Sequence, residues 1–398
     1  MFRLSILALT IAASPAFSLD ISALAIKGNK AAIEELSALP NPTDDERMAL
    51  GMFNFLRGIE VALQLRYEMN VNPAYMMLPI MDLRLPPNPE AGPFRAEAVG
   101  EFANGLIDHM SAARTALEPI AETSDAKMTV QLADLWFDLN KDGIRDGVHD
   151  VSVVDFATEI ARGGFRGDDR EGNFAPVSFD VADVYWLTAY THVMQGFGET
   201  ILAYDPTAAI QAIFDSHDQM AALNTGAGYG NAMDMQFGSF IDGFAAIQAA
   251  LDQEPNVEHA QAAHANFLAM VDANRTFWKL VALETDNDGE WIPNDNQSAA
   301  LGFNLPKGTG EIWMAVLEDG EKILNGELLI PYWRLDQGAG INLKKVFMEP
   351  RPVDLMGWIQ GRAALPYAEQ GTLISAQNWW RFQDLMAGQG GTFAVLLN

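Results

Sequence analysis

The chain contains no cysteine, so no disulfide can brace it and no thiolate can act as nucleophile or metal ligand. Basic residues are scarce: 25 Lys and Arg stand against 53 Asp and Glu, a formal charge of −28. A field of that sign repels phosphate backbones, which excludes nucleic acid as a partner and disfavours anionic membrane surfaces. Beyond residue 18 no run of about 18 apolar residues occurs, so no stable membrane insertion is expected. Histidines are few and scattered, at 109, 149, 192, 217, 259 and 264. His-Glu-x-x-His, Gly-x-Ser-x-Gly and Gly-x-x-x-x-Gly-Lys are all missing, and no residue is assigned a catalytic role.

What is present is ordinary for a folded chain: 398 residues, 49% of them hydrophobic and 20% charged. Met1-Phe2-Arg3, the apolar run Leu4 to Ala13 and the small residues of Ala16-Phe17-Ser18 follow the order of a secretory signal peptide. Cleavage near Ser18 is therefore expected, placing the mature protein in the periplasm or outside the cell.

Helical periodicity dominates the first three quarters. Thr43-Asp44-Asp45-Glu46 matches a capping box, and Met48, Met52, Phe55, Ile59, Leu63 and Tyr67 recur every three or four residues behind it. Further helical patterns cover about 95–118, 126–138, 181–203, 207–217, 232–251 and 257–283. Six prolines in 70–93 force an irregular connection, within which Tyr75, Met76, Met77, Leu78 and Ile80 suggest packing on the core. Gly163 to Gly172 reads as a glycine- and charge-rich loop. Composition changes near 284, beyond which six of the nine Trp lie. Glu327–Trp333 and Gly391–Leu397 read as short strands. The expectation is a mainly α protein: a signal peptide at 1–18, a bundle or helix-pair body at 19–283, and a smaller mixed, Trp-rich subdomain at 284–398.

The most specific local pattern is Asp138-Leu-Asn140-Lys-Asp142-Gly143-Ile144-Arg-Asp146-Gly147-Val-His149-Asp150. Oxygen-bearing side chains at positions 1, 3, 5 and 9 with glycine at 6 can converge on one hard cation. This stretch alone resembles an EF-hand-like calcium loop. Its departures are His149 where the bidentate Glu belongs, with Asp150, or a carboxylate such as Asp155 from the next helix, as the substitute, and the apolar Ile144 one position early. The resemblance implies calcium on Asp138, Asn140, Asp142, the Ile144 carbonyl, Asp146 and Asp150. The competing reading is a solvated acidic helix face, because Asp134, Asp138, Asp142, Asp146 and Asp150 fall every four residues. A second, weaker loop offers Glu284, Asp286, Asp288, Glu290 and Asp295 around Gly289, or simply a polar turn after the preceding helix.

Arg334, Lys344, Lys345, Arg351 and Arg362 form a locally basic segment, expected to meet acidic helices of the body. The tryptophans beyond 284 either make core or stack on a ligand. Together these features describe an exported calcium-binding protein, a non-enzymatic binding or scaffold module for an unidentified small molecule, glycan or protein. The alternative is a secreted hydrolase whose active-site loops calcium braces.

Overall fold

A computed structural model of the chain describes residues 19–70, 85–156, 175–223 and 237–398. The expected signal segment, the loop Gly163 to Gly172 and the Tyr75–Ile80 stretch lie outside the described residues. The fold is mainly α. Its helices are α1 (Ile21–Ala25), α2 (Asn29–Ser37), α3 (Asp44–Tyr67), α4 (Ala98–Leu117), α5 (Val181–Ala203), α6 (Thr207–Leu223) and α7 (Ser239–Leu251). They continue with α8 (Val257–Val281), α9 (Thr309–Leu324), α10 (Leu343–Met348), α11 (Leu355–Gln360), α12 (Gln377–Leu385) and α13 (Gly390–Leu397). No described helix is long and apolar enough to cross a membrane.

Local chemistry sets the main helix starts. Thr43 Oγ1 accepts the Glu46 amide at 3.3 Å and Glu46 Oε2 accepts the Thr43 amide at 2.7 Å, so the expected capping box opens α3. Asp180 and Asp183 build the same device at the start of α5. The long helices α3, α4, α5 and α8 then pack side by side, α5 on α8 most extensively. Small residues bring them close: a Cβ added at Gly51 would stand 2.5 Å from Leu117 Cδ2, and one at Gly196 would stand 2.7 Å from Phe267 Cε1. Phe53, Leu63, Leu117, Phe137 and Phe277 fill the core between them. Each such burial is worth roughly 1.5–3 kcal/mol.

Short strands decorate this body. β1 (Met69–Asn70) pairs parallel with β2 (Gly92–Pro93). β3 (Lys127–Val130) pairs antiparallel with β6 (Val177–Asp180), and β4 (Trp136–Phe137) with β5 (Val151–Ser152). β7 (Ile330–Pro331), β8 (Ala339–Ile341) and β9 (Ala368–Gln370) make an antiparallel sheet of three.

Two sequence expectations fail. The helix expected over 126–138 is replaced by β3, a 3₁₀ turn at Leu132–Asp134 and β4. Met128 and Val130 are buried while Lys127 and Thr129 are exposed, an alternation that suits a strand against β6 and not a helix face. The strand expected at Gly391–Leu397 is the helix α13. A short apolar run does not separate strand from buried helix by its pattern, and here tertiary partners decide. Trp186 Nε1 donates to the Leu396 carbonyl at 2.9 Å and Asn274 Nδ2 to the Leu397 carbonyl at 2.6 Å.

The compositional change near 284 is not matched by a separate main core. Trp313, Leu317, Phe382, Met386, Leu396 and Leu397 share one cluster with Phe53 and Phe277. Ile341, Ala364 and Tyr367 form a small cluster of their own beside the three-stranded sheet. Another small cluster joins Ala96 and Val99 to Ile210 of α6 and Ala246 of α7.

Candidate cation loops and an acidic cluster

The loop 138–150 connects a hairpin. Trp136 pairs with Ser152 and Phe137 with Val151, which holds its two ends together. Trp136 is buried, with Nε1 donating to the Ala25 carbonyl at 3.0 Å. From α3, Glu60 Oε1 accepts the Asp138 amide at 2.8 Å, and Gln64 Nε2 donates to the Asp138 carbonyl. Burial raises the Glu60 pKa, and the adjacent Arg57 guanidinium opposes that rise. The first ligand position is thus anchored to a long core helix.

Inside the loop the acidic side chains turn back on its own amides. Asp138 Oδ1 and Oδ2 accept from Asp142 and Gly143 at 3.2 and 3.0 Å, and Asp142 Oδ1 accepts from Ile144 at 2.7 Å. Asn140 Nδ2 donates to Asp142 Oδ2 at 2.8 Å. Lys141 and Gly143 take the left-handed conformation, φ 64° and 73°, that lets the chain double back. Asp150 closes the far end by accepting the Leu139 and Asp146 amides at 3.2 and 2.7 Å. Burial raises its pKa. Asp146 is engaged differently: His149 Nδ1 lies 2.9 Å from its Oδ2, and the Val148 and His149 amides donate to Oδ1 at 2.7 Å each. The His149 contact first, and those amides with it, hold the Asp146 carboxyl at about 2, while His149 is raised. The Ile144 side chain is exposed.

The acidic-helix reading of this stretch is therefore overturned, since residues 138–150 form turns and bends. Asp134 stands apart, accepting from Ser22 Oγ at 2.6 Å. Among the described residues no three His, Asp or Glu side chains are gathered closely enough to hold a metal ion.

The second loop is engaged piece by piece. Asp286 and Asp288 flank Lys127 Nζ of β3 at 3.3 and 3.5 Å. Glu290 is buried and accepts the Asp288 amide at 2.9 Å. Asp295 accepts the amide of Gly308, just before α9, at 3.0 and 3.2 Å through its two oxygens. Glu284 accepts from Gln297 Nε2 at 3.0 Å. A backbone bond of 2.8 Å from Ser178 to Gly289 ties this segment to β6.

That tie brings Glu284 and Glu290 toward Asp180 and Asp183 at the start of α5. Asp183 is buried and accepts the Asp180 amide at 3.0 Å. Burial pushes its pKa well up, and Asp180, Glu284 and Glu290 push it further. Glu284 is pushed up to about 7, again by burial first and by Asp180, Glu290 and Asp286 after it, against the Gln297 hydrogen bond. Burial also raises Asp180 and Glu290. A carboxyl raised as far as Glu284 holds its proton to near neutral pH and can donate as well as accept. Sequence reading missed Asp180, Asp183 and Lys127. The signal for the first two was legible, since Asp180-Val-Ala-Asp183 has capping-box spacing before an apolar run.

A cleft of about 350 Å³ lies beside the same segment, walled by Trp278, Pro293, Leu305 and Met314, with Lys279, Asp295 and Glu311 at its polar parts. Most late tryptophans make core instead of lining it. Trp291 packs on Phe179 and Trp186, Trp313 donates to Asn274, and Trp358 stacks on Tyr367, whereas Trp333 and Trp380 are exposed. The basic segment departs from expectation. Lys345 pairs with Glu369 and Arg362 with Asp354, both within residues 334–370, while Arg334 lies 3.8 Å over the Trp333 ring. Local partners reach these cations before the helices of the body do. No protein-family model, curated protein or solved structure matches this chain, so its fold and sites rest on its own residues.

Proposed function

We propose that the chain is an exported calcium-binding helical protein, a non-enzymatic binding or scaffold module in which calcium is structural. The observation that carries the reading is the 138–150 loop: a clamped hairpin connection whose left-handed Lys141 and Gly143 double the chain back, with oxygen donors at the EF-hand-like positions. The ligands are Asp138, Asn140, Asp142, the Ile144 carbonyl, Asp146 and Asp150. Calcium suits them because it takes six to eight oxygens in flexible geometry. The signal-like residues 1–18 support export, where calcium reaches millimolar levels and a weak site fills.

The test is thermal melting with millimolar calcium and then with chelator. Binding only the folded form stabilises by about 2.7 kcal/mol at a hundredfold excess over Kd, so Tm should rise with calcium and fall back with chelator. Asp138→Ala with Asp142→Ala should abolish the response. No calcium-dependent shift in the unaltered protein refutes the reading.

One observation bears on the hydrolase alternative: Glu284, raised to about 7 by burial first, has its backbone carbonyl 3.2 Å from Nδ2 of the cleft residue Asn294, while its carboxyl accepts from Gln297. Turnover of an ester, glycoside or peptide that Glu284→Gln abolishes would establish it.

A further inference from the structure

Helix α7 is built inside out. Gly243, Ala246 and Ala250 are its buried positions, spaced three and four apart. Its large apolar side chains face water: Phe240, Ile241, Phe244 and Ile247 are 58%, 60%, 48% and 38% exposed. A surface helix of a soluble protein turns its large apolar stripe inward. Here the small residues pack inward, on α6 and the cluster of Ala96, Val99 and Ile210, and the stripe is left open. Phe237 just before α7 and Leu223 at the end of α6 extend the exposed apolar surface, at 44% and 80%. Scattered exposed hydrophobes need no explanation, but four on one helix side mark a contact surface.

The two helices that form this face carry acids and no Lys or Arg. Residues 171–274 contain no Lys and no Arg. Asp215 and Asp218 of α6 are exposed, and Asp242 of α7 is half-buried with His217 Nε2 3.2 Å from its Oδ2. An apolar stripe with these acids on α6 and α7 complements a helix carrying Leu or aromatic residues on one face and Lys or Arg on the other. An anionic surface would be repelled, and a second copy would bring the same acids against these.

We propose that the exposed face of α7, with the acidic residues of α6, docks a basic amphipathic helix of a partner protein. The proposal rests on the binding-module reading but not on the calcium loop. The probe is a fluorescent Lys/Leu amphipathic peptide of about 18 residues, ~27 Å as a helix, titrated with the full chain by anisotropy, with and without calcium. A permuted peptide of the same composition but no apolar face controls for bulk charge attraction. The expected result is saturable binding at least tenfold tighter than the permuted peptide's. Phe240→Ser with Phe244→Ser should lose at least tenfold, with the melting temperature unchanged. Asp215→Asn with Asp218→Asn should weaken binding and flatten its salt dependence. Equal affinity for both peptides, or undiminished binding by the Phe variant, overturns the proposal. So does dimerisation of the unaltered chain, or its flotation with vesicles, if the same Phe pair abolishes it. Peptide binding that persists in chelator while calcium gives no thermal shift retains this proposal and refutes the calcium reading. A calcium shift without peptide binding does the reverse.

Discussion

Replacing Glu284 by Gln removes one ionisable group from the acidic cluster while keeping the side-chain length. An ordinary glutamate titrates near 4.5, and burial in the folded chain raises Glu284 to about 7. Below pH 4.5 both folded and unfolded forms carry the proton. Between about 4.5 and 7 the folded form keeps a proton that the unfolded form has lost, so stability falls as pH rises through that window and stays low above it. At 1.36 kcal/mol per tenfold change in proton affinity, the whole gap amounts to about 3.4 kcal/mol. Glu284 retains part of its solvent contact, and screening there cuts the effect to about 1–2 kcal/mol. The Gln variant loses this pH dependence. It should melt with the unaltered chain at pH 4.5 and above it at pH 8, by roughly 1–4 °C for a chain of this size. Asp183 should also titrate lower in the variant, because one neighbouring charge is gone. Melting followed by circular dichroism from pH 4.5 to 8 measures the difference. A Gln variant whose melting curve parallels the parent's across that range, or which melts lower at pH 8, refutes the argument.

Gly51→Ala should destabilise by about 1–3 kcal/mol, since its new methyl meets Leu117 Cδ2 at 2.5 Å across the α3–α4 contact; chemical denaturation reads the change. Asn274→Ala should cost about 2–4 kcal/mol by leaving the Trp313 indole N–H and the Leu397 carbonyl buried without their partner. Limited proteolysis should then cut first around α13, and an unchanged cleavage pattern would show that the chain end is held by other contacts. In the calcium titration, magnesium should shift Tm less than calcium, because it keeps its waters and demands octahedral geometry. Asp286→Ala with Asp288→Ala should leave the calcium response intact, their carboxylates being held by Lys127.

Much of the fold follows from sequence alone. The capping box and periodicity before Tyr67 specify α3, and the apolar runs at 181–203 and 257–281 specify α5 and α8, because a long helix carries its pattern and its end signals with it. The 138–150 motif likewise specifies a loop: two glycines and closely spaced like charges disfavour a helix there. Tertiary structure decided what short segments could not carry. Residues 127–130 became a strand because β6 stood ready to pair, and 390–397 became a helix whose last carbonyls accept from Trp186 and Asn274. The acidic cluster needed the backbone tie between Ser178 and Gly289, which brings Asp183 and Glu284 together from about 100 positions apart. The inversion of α7 was equally hidden, since its apolar pattern reads as core until packing shows that Gly243, Ala246 and Ala250 took the inner side. Spacing along a chain sets which residues can share a face, and only packing sets which face is buried.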